Sequence, residues 1–213
     1  KVKKALENYD LKNKKNNFPF TKDSKLIAKS FASKNVLNSI KKISKTDSAV
    51  LLSGKNGSGR EFLARKIHLD SNRKNKQFKV IDFSLRDFSK LENEIFGFEH
   101  DKVTNFIGSL EEAVGGTLFL KNIDKMNKKM QGKFLRVFEE KKFYRVGGAS
   151  SIKTDFRIIS SSNYSINQLK TKLFNKELIN KINFYEILVP SIENRKDDIN
   201  DLVIEFLKES LSI

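Results

Sequence analysis

Two short stretches of this sequence hold residues whose types and spacing could handle a phosphate chain. The first is "GKNGSGRE", Gly54 to Glu61, with the spacing G-x-x-x-x-G-basic between the apolar run "AVLLS" and the helical pattern "EFLARKIHL". Gly57 and Gly59, with Ser58 between them, let backbone amides turn toward a phosphate, and the N-terminus of the next helix adds a partial positive charge. The cation closing such a loop is normally a lysine, whose compact ammonium reaches the phosphates. Here it is Arg60, and the two are not interchangeable in a tight loop. Glu61 stands where a Ser or Thr hydroxyl usually meets Mg²⁺. The same residues also suit a Gly-rich strand-to-helix turn that binds nothing.

The second stretch is "GTLFLKNID", Gly116 to Asp124. Leu118, Phe119 and Leu120 read as a buried strand, and the two positions at its end would face a site. Phosphoryl transfer wants acidic groups there, one for a metal and one for the attacking water. The residues are Lys121 and Asn122. Asn can orient a water but is a poor base, and Lys121 opposes a divalent metal. The expectation for Lys121 is that it snorkels out of a site no longer in use. His68 and His100 have no metal-ligand spacing around them and read as packing or surface residues, so no metal is expected.

The elements that must position these residues alternate. Strand patterns lie at 49–53, 78–83, 117–120, 156–161 and 185–189, and helical patterns at 33–45, 61–69, 91–96, 128–140 and 166–173. Such alternation predicts an α/β fold, a parallel sheet of about five strands flanked by helices. A last helical face carries Ile199, Leu202, Val203, Phe206 and Leu207, with Asp197 and Asp198 in its first turn, where the helix dipole favours negative charge. Residues 1–20 read as a linker helix ending before Pro19, and residues 21–213 as the α/β core. The chain starts at Lys1, which reads as a piece of a longer protein.

Composition narrows the function classes. The net charge of +16 invites nucleic acid, but only eight of the 42 basic residues are Arg. Lys and Asn abound throughout, as a coding bias would produce. Weak, salt-sensitive attraction to DNA is expected all the same. The sequence contains no Cys, which excludes a disulfide framework or thiolate metal site and suits a reducing cytoplasm. No apolar run approaches the roughly 20 residues a membrane helix needs.

Six ordered blocks carry a resemblance over most of the chain: "SGKNGSGREFLARKIHLDSNR", "ENEIFGFE", "EEAVGGTLFL", "MQGKFLRVFEEKKFYRVGG", "FRIISSSN" and "NRKDDINDL". Together they resemble the AAA+ central domain of bacterial enhancer-binding response regulators, which remodel the sigma-54 polymerase holoenzyme, and within that family the NtrX type most. The resemblance implies a P-loop AAA+ core whose helical lid is absent or lies outside this chain. It also implies a preceding receiver domain served by a sensor kinase and a following domain that binds DNA. Leu26 and Ile27 match the segment whose backbone brackets adenine, Gly54 to Glu61 the phosphate loop, Lys121 and Asn122 the metal and water acids, and Asn163 the sensor I residue, though it is also an ordinary strand-end Asn. Asp82 matches an Asn coupled to the water-polarising acid.

The departures decide the expected function. The family's GAFTGA loop toward the sigma factor is matched by "DKVTNF", Asp101 to Phe106, where only Thr104 survives in register and the loop looks shortened. The trans-acting arginine fingers are matched by Asn175 and Lys181 in "FNKELINKI". With loop lysine, metal acid, water acid and both fingers replaced, the expectation is a cytoplasmic assembly scaffold that neither hydrolyses ATP nor remodels sigma-54. It would retain at most weak ATP or ADP binding, and self-association as a dimer is expected rather than a hexameric ring. A slow ATPase using Arg60 and Asn122, and a basic domain binding nucleic acid directly, stay open beside it.

Overall fold

The computed structural model describes residues 26–84, 88–100, 105–172 and 174–211; the expected linker helix lies outside them. Among the described residues, five strands form one parallel sheet: β1 (Val50–Ser53), β2 (Phe78–Asp82), β5 (Thr117–Lys121), β8 (Arg157–Ser162) and β9 (Tyr185–Leu188), in the order β2-β5-β8-β1-β9. The five expected strands are these, with bounds shifted by a residue or so.

The apolar runs of β1 and β5 belong to strands covered on both faces. Successive side chains point to opposite faces, so Leu118 and Leu120 enter one core cluster and Phe119 the other. Leu51 and its neighbours Val50 and Leu52 divide the same way. One face is covered by α1 (Phe31–Ile43) and α2 (Arg60–Leu69). The other is covered by α3 (Phe88–Phe96), α5 (Lys128–Glu140), α6 (Ile166–Thr171) and α7 (Lys176–Ile182). In α1 the buried positions Val36, Ile40 and Ile43 follow helical spacing. Its C-terminus is finished by Arg157, which is 1% exposed and donates to the carbonyls of Ser44 at 2.9 Å and Ile43 at 2.8 Å.

Several elements differ from the sequence expectation. A hairpin joins β3 (Phe98–Glu99) to β4 (Asn105–Phe106), with the Phe98 and Phe106 rings stacked 5.7 Å apart. A second joins β6 (Lys142–Tyr144) to β7 (Ser151–Lys153). The segment read only as a finger motif is the helix α7. Thr104 lies outside the described residues, and a short α4 (Ser109–Glu112) follows β4. The last helix, α8 (Ile199–Leu211), exposes Ile199, Val203 and Leu207. No helix among the described residues is long and apolar enough to cross a membrane. The C-terminal ends of β1, β5 and β8 converge on one crevice, the usual ligand position in open parallel sheets.

Candidate functional site

The loop between β1 and α2 forms the floor of that crevice. Gly57 and Gly59 have φ of 77° and 92°, a left-handed backbone that other residues rarely adopt. A Cβ built on Gly57 would meet nothing within 4 Å, so glycine serves conformation there, while one on Gly54 would fall 2.5 Å from the Val189 carbonyl oxygen. The Ser58 hydroxyl is buried without a hydrogen-bond partner, and the Ser58 carbonyl accepts from Arg195 Nη2 at 3.0 Å. The backbone therefore suits a phosphate.

Arg60, at the N-terminus of α2, is only 8% exposed. Its guanidinium donates to Asn163 Oδ1 from both Nη atoms at 3.0 Å, to the Ser162 carbonyl at 3.2 Å and to Asn56 Oδ1 at 3.1 Å. Asn163 is oriented in turn by Asp124, which accepts from its amide at 3.1 Å and from Nδ2 at 3.3 Å. Burial lowers the Arg60 pKa and the Asp124 carboxylate opposes this; a guanidinium nonetheless stays charged. Arg60 is thus a cation held largely by neutral oxygens.

Lys121 departs from expectation. It does not snorkel away: its Nζ lies 3.0 Å from Glu61 Oε2 and 3.2 Å from Asp82 Oδ2. The cause is register, since β2 and β5 pair Asp82 with Lys121 while the first turn of α2 brings Glu61 alongside. Burial works against the ammonium, but the ion pairs with Glu61 and Asp82 outweigh it and raise its pKa. Burial likewise disfavours both carboxylates. Lys121 and Arg65 hold Glu61 below its ordinary value, and Ser84, Asn122 and Lys121 do the same for Asp82. Asn122 is left-handed, with φ of 58°, and donates from Nδ2 to Asp82 Oδ1 at 2.9 Å and from its amide to Ser161 Oγ at 3.2 Å. A divalent metal does not fit this arrangement: an ammonium already lies between the two carboxylates that could ligate it.

The remaining residues divide. Leu26 and Ile27 are half-buried, and Leu26 packs on the core cluster under α1 and α2. The following residues are fixed by Asp198, which accepts from the Lys29 and Ser30 amides at 2.7 and 2.8 Å. Asn175 and Lys181 are not brought to the crevice by any contact. Asn175 caps α7 through the Leu178 amide at 2.8 Å, and Lys181 is exposed in the last turn. Of the histidines, His68 is buried against Thr117 Oγ1 at 2.9 Å and His100 is exposed. Beside the loop opens a cleft of about 560 Å³, lined by Asn35 and Ser39 of α1, Lys55, Asn163 and Glu186. Asp124, Asn56, Arg195 and Asp198 were missed in the sequence. Asn56 and Asp124 lie inside the quoted stretches "GKNGSGRE" and "GTLFLKNID", and Arg195 and Asp198 inside "NRKDDINDL", but none of these stretches showed which partner each side chain would meet.

The family model of the sigma-54 interaction domain matches residues 26–188. A Nif-specific regulatory protein of Enterobacter agglomerans is 33% identical over 189 residues, covering 86% of this chain and 36% of that protein. The NtrC transcriptional regulator of Bradyrhizobium is 33% identical over 186 residues, 85% of this chain and 39% of its own. The chain thus spans little more than a third of these relatives. Among solved structures, NtrX of Brucella abortus in complex with ADP superposes with a TM-score of 0.81 at 31% identity, over 98% of this chain and 48% of that one. The same protein in complex with ATP gives the same score and identity. A P-loop NTPase domain of a sigma-54 activator from E. coli, at 18% identity and a TM-score of 0.50 over 75% of this chain and 94% of that one, shares the fold.

Proposed function

Because the chain belongs to the sigma-54 interaction domain family, we propose that it is the central AAA+ module of an NtrX-type two-component transcriptional regulator, working as an assembly scaffold without ATP hydrolysis or sigma-54 remodelling. The observation that carries this reading is Lys121 seated between Glu61 and Asp82. Phosphoryl transfer depends on charge neutralisation, metal placement and an oriented water acting together. In this crevice an ammonium opposes the metal, Asn122 has no basic oxygen to take a proton, and Asn175 is engaged as a helix cap.

The same reading assigns Leu26, Ile27, Gly54, Gly57, Ser58, Gly59, Arg60 and Glu61 to a nucleotide cleft used for regulation rather than turnover. DNA would be reached through a domain outside this chain and a sensor kinase through a receiver domain. The scaffold would act as a dimer in the cytoplasm. A second reading, a slow ATPase, draws support from the complexes of NtrX with ADP and ATP and from Asn122, which could still orient a water.

A coupled-enzyme assay separates the two. The scaffold reading expects phosphate release no faster than a buffer control, even with excess Mg²⁺. Release that scales with protein and vanishes in Arg60→Ala would refute it.

A further inference from the structure

The charges at the metal position are paired with one another. Many phosphate loops place a hydroxyl where this chain has Glu61, and the family resemblance expects a metal-binding acid where it has Lys121; the Glu61 carboxylate meets the Lys121 ammonium at 3.0 Å. Asp82 closes the cluster from the adjoining strand at 3.2 Å. Arg65 Nη2 holds the other oxygen of Glu61 at 2.9 Å, and Asn122 Nδ2 holds the other oxygen of Asp82 at 2.9 Å. All four carboxylate oxygens therefore face a donor within the chain, and the ammonium lies where a divalent ion would have to enter.

Next to this cluster is a loop still shaped for phosphate. The left-handed glycines, the open side of Gly57 and the N-terminus of the ten-residue helix α2 supply backbone donors. The Ser58 hydroxyl, in a residue 3% exposed, is buried without a partner inside this loop, 3.2 Å from where a Cβ on Gly54 would stand. Arg60 contributes a cation that its neutral partners Asn56, Asn163 and the Ser162 carbonyl do not cancel.

We infer that the crevice takes a nucleoside polyphosphate free of divalent metal, with the Lys121 ammonium in the position of Mg²⁺ and its charge shared between the phosphate chain and the carboxylates of Glu61 and Asp82. This deepens the proposed function and rests on its nucleotide cleft. The physical reason is competition for one seat. A Mg²⁺ carried in on the nucleotide would have to displace the ammonium from both carboxylates, whereas a bare phosphate chain need only approach it. Lys121 and Glu61 then act as positioning and binding residues of a site that responds to nucleotide but not to magnesium.

Calorimetric titration of the full chain with ADP, in EDTA and again in excess Mg²⁺, tests this without any substitution. The expected result is binding in EDTA, with Mg²⁺ leaving the affinity unchanged or lowering it. Lys121→Met should weaken ADP binding about tenfold or more in both buffers, because Glu61 and Asp82 would then face the phosphates uncompensated. Lys121→Asp should make binding depend on Mg²⁺. Thermal unfolding of each variant confirms that it is folded. Tenfold tighter binding by the unsubstituted protein in Mg²⁺ than in EDTA would overturn the inference, and so would no ADP binding in either buffer. Neither result touches the absence of hydrolysis, which fails only if phosphate is released.

Discussion

Asp198 offers the sharpest test of how the crevice is held together. The residue is 0% exposed, and its carboxylate ties the turn just before α8 to the start of α1. Oδ1 accepts from the Lys29 amide at 2.7 Å and the Ser30 amide at 2.8 Å. Oδ2 accepts from Ser30 Oγ at 3.0 Å and Ser33 Oγ at 2.5 Å. Asp198→Ala leaves two amides and two hydroxyls without their acceptor. A hydrogen bond to a charged group contributes about 1.5–3 kcal/mol, but the hydroxyls can re-aim at each other or at water, so the sum is not additive. We expect a loss of about 3–5 kcal/mol for Ala and about 1–2 kcal/mol for Asn, which keeps one accepting oxygen.

The pH dependence follows with a definite sign. Burial disfavours the Asp198 carboxylate, but the donors of Ser33, Ser30 and Lys29 outweigh it and hold its pKa below the ordinary aspartate value. Its contribution is therefore complete above the unfolded value near about pH 4 and is lost as pH falls through the lower folded value. Urea unfolding of the original protein and Asp198→Asn, compared from neutral pH downward, should show their difference shrinking only below about pH 4. A loss under about 1 kcal/mol for Asp198→Ala, or a gap between the original protein and Asp198→Asn that closes at neutral pH, would refute the reasoning. Because Lys29 adjoins the half-buried Leu26 and Ile27, the same substitutions should also weaken any nucleotide held against that segment.

Two further outcomes are expected. In a double-mutant cycle of Lys121→Met and Glu61→Gln, read by urea unfolding, the pair should couple by about 0.5–1 kcal/mol, since both side chains are about a third exposed; simple additivity would mean that the ion pair is idle. Duplex DNA should bind this chain weakly and without sequence preference, losing affinity steeply between about 50 and 200 mM salt as counterion release requires; sequence-selective footprinting by the chain alone would contradict that.

The sheet was legible because its strands are written as runs. "AVLLS" and "TLFL" have too many consecutive apolar residues for a strand with one wet face, and the helices between them keep helical spacing. The hairpins were not legible, because strands of two or three residues have no periodicity to detect. Their pairing depends on contacts such as the Phe98 and Phe106 stack, which only the closed chain creates. Helix α7 was overlooked for another reason. In "FNKELINKI" the finger positions overlap an N-cap signal, Asn175 ahead of an apolar pattern, and seven residues give that pattern little length to show itself. In α8 the apolar face keeps Ile199, Val203 and Leu207 exposed and Leu202 half-buried, since an amphipathic face marks only what can be covered.

At the site the glycines were readable one by one, but the partners of the charges were not. Glu61, Asp82 and Lys121 sit on a helix and two strands, and only the β2–β5 register and the loop turn unite them. Judged against an absent metal, Lys121 looked like damage to be carried out into solvent. Judged against Glu61, it is half of a pair. The distinction has physical content, because a site that had merely lost its acids would leave Asp82 and the inserted cations seeking solvent. In this crevice Lys121 has two carboxylates, Arg60 has three oxygen acceptors, and Asn122 bonds the carboxylate that Lys121 also pairs with. Ion pairs this exposed contribute little stability singly. Their consequence lies in what they exclude, since a divalent ion could enter only by breaking two of them at once. On the inference drawn above, phosphate-loop shape and magnesium dependence, coupled in a hydrolysing AAA+ domain, would be separable in this chain.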